Sequence, residues 1–251
     1  MHLLLLGNSN ETVEWFEGAE TAEQRLGRLL REEFNEDIQI TAKSIWPDAN
    51  MPATVGRWVE RYRPDVVFLD VVGFWFLYQS VPLRLERIGG RAGKRLGEVG
   101  FGAAANRAVA HNRAFRIFRK TAQRIIGGDT HFTPRGVIER VSECIRTTIR
   151  HEGTVVVVSG AGGRVNHAVT RRGYTRNEAA RHDFNQVLAA FCRGVHVHFV
   201  APDEPEAKSL PKKAHIGDGL HWSAAGAVYR GDRIFRLVRD AWLTEHEVPA
   251  V

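Results

Sequence analysis

Five short runs rich in apolar residues punctuate the chain: Leu3 to Leu6, Asp37 to Ala42, Val66 to Val72, Thr154 to Val158 and Val195 to Val200. Most are near-continuously apolar, which suits strands buried on both faces of a parallel sheet. Between them the spacing changes to that of helices. Thr21 to Phe34 places Leu26, Leu29, Leu30 and Phe34 on one side. Thr54 to Tyr62 is a second helix, ended by the Arg63-Pro64 step because the residue before a proline avoids helical geometry. Pro134 to Arg150 is a third, with Pro134 suited to a first turn. Arg176 to Phe191 is a fourth, and Ser223 to Leu243 is the last, with Ser223 as its N-cap. Strand and helix alternating in this way predict a doubly wound α/β sheet with right-handed crossovers, and ligands bind such sheets at the carboxyl ends of the strands.

One crossover is too long for a simple strand–helix–strand unit. About eighty residues separate Gly73 from Gly153, where roughly thirty suffice. Ala103 to Ile126 within it carries Val109, Phe115, Phe118, Ala122 and Ile125 roughly on one side, with Arg113, Arg116, Arg119 and Lys120 interspersed. This predicts a helical insertion or cap at about 77–130, after strand three. Residues 1–251 then read as one domain, a three-layer, flavodoxin-like α/β fold with a five-stranded parallel sheet. Pro202 to Lys213, polar and with three prolines, reads as a surface loop.

That loop leads into Gly217-Asp218-Gly219-Leu220-His221-Trp222-Ser223, followed by Gly226. Asp218 and His221 are three residues apart, near enough for a carboxylate to meet the imidazole Nδ1–H, fix its tautomer and stabilise the imidazolium. At the other end of the chain, strand one runs into Gly7-Asn8-Ser9-Asn10. A serine there stands at the strand-end crevice, where backbone N–H groups at a helix start can face a developing oxyanion. Taken singly, each is as well explained by a turn or a cap.

Taken together, the two motifs resemble those of the SGNH (GDSL-type) hydrolases. Gly7-Asn8-Ser9-Asn10 is similar to that family's nucleophile motif, with Asn8 where Asp is usual. Asp218-Gly219-Leu220-His221, with Gly226 following, is similar to its acid–base motif, and Pro64-Asp65-Val66-Val67-Phe68-Leu69 to its third strand. The resemblance implies a serine esterase or acylhydrolase that uses no cofactor and no metal. His221 would take the Ser9 proton, Ser9 would attack an ester carbonyl, and Asp218 would orient His221. Hydrolysis and transfer to another hydroxyl use the same groups. The family also supplies a Gly after strand two and an Asn in Gly-x-Asn-Asp after strand three. Here Ser44-Ile45-Trp46-Pro47-Asp48-Ala49-Asn50 has no Gly, and Val72-Gly73-Phe74-Trp75-Phe76 has no Asn. The oxyanion donors are therefore assigned to Ser9, Gly73 and Asn50, with Asn10 and Asn166 as alternative substitutes for the missing donors. Asn8, Asn10, Trp75 and Trp222 are the expected substrate contacts.

The remaining features refine this expectation. The run Ser159-Gly160-Ala161-Gly162-Gly163 lacks the third glycine of a dinucleotide fingerprint and reads as a mobile or tight loop at the edge of the site. The aromatic run Phe74 to Tyr78 either packs in the core or lines the pocket. Cys144 and Cys192 form no metal-ligand pattern and read as buried thiols on helices. His111, His131 and His167 are scattered and need no role. The opening apolar run is too short for a secretory signal, and no run spans a bilayer, so the expected location is cytoplasmic.

The net charge is +6, yet the stretch from Arg84 to Arg124 holds eleven Lys or Arg against Glu86 and Glu98. That concentration is either a solvated face or a surface for an anionic partner. The expected partner is a small-molecule or glycan ester, neutral or anionic, and no nucleic acid is expected. The rival reading is a catalytically weak protein on the same fold, binding an anionic ligand or surface through its basic insertion.

Overall fold

The computed structural model describes residues 1–8, 18–90, 93, 95, 112–162, 170–202, 210, 211, 213–215 and 221–246. Five strands form one all-parallel sheet: β1 (His2–Gly7), β2 (Gln39–Ser44), β3 (Val66–Asp70), β4 (Val155–Ser159) and β5 (His198–Val200). Their order is β2-β1-β3-β4-β5, which puts the carboxyl end of β1 between two neighbours. Leu3 is registered with Val66 and Leu6 with Leu69; Val66 is in turn registered with Val155.

Successive strand residues point to opposite faces, and both faces are apolar here. Leu3, Leu5, Val66, Phe68, Val155 and Val157 meet α1 (Ala22–Phe34) and the last helix, through Leu26, Leu30, Ile234 and Val238. Leu4, Leu6, Val67, Leu69, Val156 and Val158 meet the other layer, through Val55, Val59, Val137, Val141, Ile145, Phe184 and Leu188. That layer comprises α2 (Met51–Tyr62), α5 (Pro134–Thr148) and α6 (Arg171–Gly194). Burying each such side chain contributes about 1.5–3 kcal/mol, and truncating fully enclosed Phe68 to Ala would cost about 3–5 kcal/mol.

The helices begin and end where local chemistry dictates. Thr21 and Gln24 form a capping box on α1, at 3.2 and 2.9 Å. Thr133 caps α5 by accepting from the Gly136 N–H, with Pro134 at the first helical position. Helix α2 ends at Tyr62, before Pro64, with Arg63 left-handed at φ 41°.

Between β3 and β4 come the short α3 (Phe74–Leu77), a helical stretch at 81–90 and α4 (Arg113–Ile126). The backbones of Ser80 and Asp129 pair across the two ends of this excursion, at 2.8 and 3.1 Å. Helix α7 (Ala224–His246) closes the chain's architecture against α1. Cys144 on α5 and Cys192 on α6 are buried free thiols. Among the described residues no helix is long and apolar enough to cross a membrane.

Candidate active site

The carboxyl ends of the strands bear an unusual density of buried polar groups, each held by a side chain from a flanking helix. Asp70 ends the apolar run of β3. Because Leu69 is registered with Leu6, Asp70 stands level with Gly7, two residues before Ser9. Arg230 of α7 donates from Nη1 to Asp70 Oδ2 at 3.0 Å, with both residues 6% exposed. One turn further, Arg233 donates from Nη1 to Ser159 Oγ, at the end of β4, also at 3.0 Å. Such charges are tolerated under the surface only when paired and hydrogen-bonded.

The glycine-rich loop after β4 is pinned from the opposite layer. Asn185 of α6 accepts from the Ala161 N–H at 2.9 Å and donates to the Ala161 carbonyl at 3.0 Å, completing both polar groups of a wholly buried residue. A Cβ on Gly160 would lie 2.8 Å from Asn185 Oδ1 and 2.9 Å from Phe199, so only glycine permits this approach. The start of the loop, Gly160 to Gly162, is thus packed at the carboxyl end of β4. Asn177, on the same helix, donates to the Leu77 carbonyl at 3.3 Å and ties down the end of α3.

On the far side, the segment before α7 carries His221. His215 and Trp222 form an isolated antiparallel bridge, their rings stacked at 4.5 Å. Ser223 donates its N–H to the Ala214 carbonyl at 2.8 Å and its hydroxyl to the Lys213 carbonyl. The same hydroxyl accepts from the Gly226 N–H at 3.2 Å, the helix-capping role expected of Ser223. A Cβ on Gly226 would collide with the Ala214 carbonyl oxygen and crowd Trp222. His221, half-buried, therefore rides on a turn locked to the first turn of a helix that itself anchors β3 and β4.

Of the residues expected from sequence, His221, Trp222, Asn8, Asn50, Gly73 and Trp75 lie in the described structure. Ser9, Asn10, Asn166 and Asp218 lie outside the described residues. Asn8, Gly73 and Asn50 follow β1, β3 and β2, all at the carboxyl edge of the sheet. Asn50 is exposed at the start of α2, and its N–H is taken by Asp48 Oδ1 at 2.8 Å. Trp75 requires a correction. It is 0% exposed within the α2/α5/α6-side core, so it braces the crevice from beneath and presents no surface to a substrate.

The loops after β2 and β3 converge instead as an aromatic group. Phe74 stacks on Tyr78 at 4.7 Å, and Trp46, 40% exposed, meets His131 edge-on at 5.0 Å and Phe132 at 5.3 Å. His131, which the sequence left without a role, lies against both Trp46 and Phe74, and burial pulls its pKa below the usual 6.5. Among the described residues no three His, Cys, Asp or Glu side chains converge as a metal site requires.

No protein-family model and no curated protein sequence matches the chain. Solved structures do match its fold. It is similar to the esterase EstA from Pseudoalteromonas sp., at 10% identity and a TM-score of 0.54, over 97% of this chain and 98% of that one. It is similar to TesA at 16% identity and a TM-score of 0.53, over 98% and 99%. It is also similar to Axe2, an acetylxylan esterase from Geobacillus stearothermophilus, at 12% identity and a TM-score of 0.52, over 97% and 93%. The parallel five-stranded sheet with helices on both faces is a three-layer α/β fold, the architecture this chain shares with those solved structures.

Proposed function

We propose that the protein is a serine esterase acting on acyl esters of small or carbohydrate-linked alcohols. Ser9 would be the nucleophile, His221 the general base and Asp218 the group that orients His221. The observation that carries this reading is the placement of His221. Its turn is tied to the start of α7, whose Arg230 and Arg233 reach the carboxyl ends of β3 and β4, and this supports a site at the sheet edge where β1 leads on toward Ser9. The comparisons support it further. Catalytic mutants of Axe2 have substitutions at a serine, an aspartate and a histidine, the last two three residues apart, the spacing of Asp218 and His221.

In the mechanism, the His221 imidazole removes the Ser9 proton as Oγ attacks the ester carbonyl, and Asp218 stabilises the resulting imidazolium. The tetrahedral oxyanion is assigned to the N–H of Ser9 with Gly73 and the side-chain amide of Asn50, whose backbone N–H is held by Asp48, and Asn8 and Asn10 border the acyl group. Protonation of the leaving alkoxide by His221 releases the alcohol, and water then frees the acyl group by the same proton transfers. Removing one oxyanion donor costs about 10²–10³ in turnover, so the aromatic group in place of the family's usual donors implies modest rates.

The test is turnover of p-nitrophenyl acetate together with labelling by a fluorophosphonate. Wild type should turn over and become labelled at Ser9. Ser9→Ala should abolish both, and His221→Ala should lower turnover by about 10³ or more. Equal background rates from wild type and Ser9→Ala would remove the reading.

A further inference from the structure

Helix α4 offers its apolar side to solvent. Within it Ile117 is 58% exposed, Phe118 69% and Ile125 79%. With exposed Thr121 they follow the i, i+3/i+4 spacing of a single stripe. The opposite side carries Gln123, 7% exposed, whose Nε2 donates to the Gln79 carbonyl at 3.2 Å. A helix of a globular core does the reverse, burying its apolar stripe and exposing its amides. Contiguous exposed apolar surface of this kind marks an interaction site.

Charge selects the occupant. Helix α4 contains four arginines, Arg124 of its last turn among them, and one lysine within Arg113–Ile126, and it contains no acid. Lys120 and Arg124 are exposed beside the stripe, whereas Arg84 and Arg87 are engaged by Asp129 at 3.5 and 3.1 Å. A second copy related by a two-fold axis would set like charges against each other. The segment at 91–111 is itself basic, with Arg91, Lys94, Arg95 and Arg107 against Glu98, so it cannot neutralise the helix. Two of the three apolar side chains, Ile117 and Ile125, are aliphatic and gain by leaving water and not by stacking on bases, so the stripe favours a lipid surface over single-stranded nucleic acid. The stripe is also one-sided, because Gln123 ties the other side down. It therefore suits a plane better than a groove that must enclose a helix.

We infer that α4 docks the protein on an anionic phospholipid surface. Ile117, Phe118 and Ile125 enter the boundary between headgroups and acyl chains, and Lys120 and Arg124 lie at the lipid phosphates. The inference is separate from the esterase reading, since binding is measured without turnover.

The experiment is co-sedimentation of the full chain with vesicles of phosphatidylcholine alone and of phosphatidylcholine mixed with phosphatidylglycerol. Binding is expected to the mixed vesicles, weakening as salt is raised. Lys120→Gln should lower the partition coefficient about fivefold, as should Arg124→Gln. Phe118→Ser should lower it about tenfold or more. All three positions are exposed, so circular dichroism and melting temperature should stay at wild-type values. Four outcomes overturn the inference: no binding to the anionic vesicles, equal binding to both kinds, binding indifferent to Phe118→Ser, or a dimer in sedimentation velocity that Phe118→Ser dissolves and anionic vesicles leave intact.

Discussion

Arg230 and Asp70 lie 160 residues apart in sequence and 3.0 Å apart in space, joining the last helix to the end of the third strand beneath the crevice. Replacing Arg230 with Met would strand a buried carboxylate, a change that costs about 3–5 kcal/mol. The pair Asp70→Leu with Arg230→Met removes both charges and should recover most of that loss. Urea unfolding of the three variants checks this; a double variant no more stable than Arg230→Met would show that the pairing is not what matters.

Gly226 sets the height of the turn that carries His221. An alanine there must push Ala214 and Trp222 away from the first turn of α7. Gly226→Ala should destabilise by about 1–3 kcal/mol, as overpacking does, and should lower esterase kcat more than it raises KM. Melting curves and steady-state kinetics on one preparation read both effects. Unchanged turnover would mean that the turn tolerates displacement.

His131 titrates below its ordinary 6.5 because burial disfavours the imidazolium. The unfolded chain therefore takes up this proton first. Stability from this group is complete above about pH 6.5 and is lost as pH falls toward the depressed native value. Melting temperature should decline over that acid window, and His131→Phe should flatten the decline. A slope identical in the variant would assign it to other groups.

Burial raises the thiol of Cys144 to about 12 and that of Cys192 to about 11. Thiolate is the reactive form, so neither should react with Ellman's reagent at pH 8 in the folded protein, and both should react in denaturant. Rapid labelling of either in the native state would contradict the packing of α5 and α6.

The strands were legible where one face of chemistry dominated. Val66 to Leu69 and Val155 to Val158 are unbroken because both sheet faces are covered there. Edges were read less well. Strand β2 begins at Gln39 and runs through Lys43, whose ammonium lies over Tyr62 at 5.5 Å, because an edge strand tolerates long polar side chains that a centre strand does not. Val195 and Val197 belong to the turn out of α6, with His196 left-handed at φ 55°, so β5 holds only three residues. Helix α6 starts at Arg171, five residues before the pattern becomes periodic, because Thr170 caps it by accepting from the Gly173 N–H. At the site, the turn before α7 could be read from Gly226 and Ser223, whose constraints are local. Arg230, Arg233, Asn177 and Asn185 could not. Their partners are strand ends and loops far away in sequence, and the only trace is polar side chains on helix faces that are otherwise turned inward.

The backbone pairing of Ser80 with Asp129 gives the protein a seam. The described residues on either side of it, 81–90 and 112–128, leave the scaffold and return to it through these neighbouring points, so the length between them is not constrained by the spacing of β3 and β4. Exchanging that stretch for a short turn, or for a different one, would leave the sheet's registration as it is. The part of the chain that meets the surroundings can thus diverge on its own evolutionary clock, while the part that holds His221 cannot.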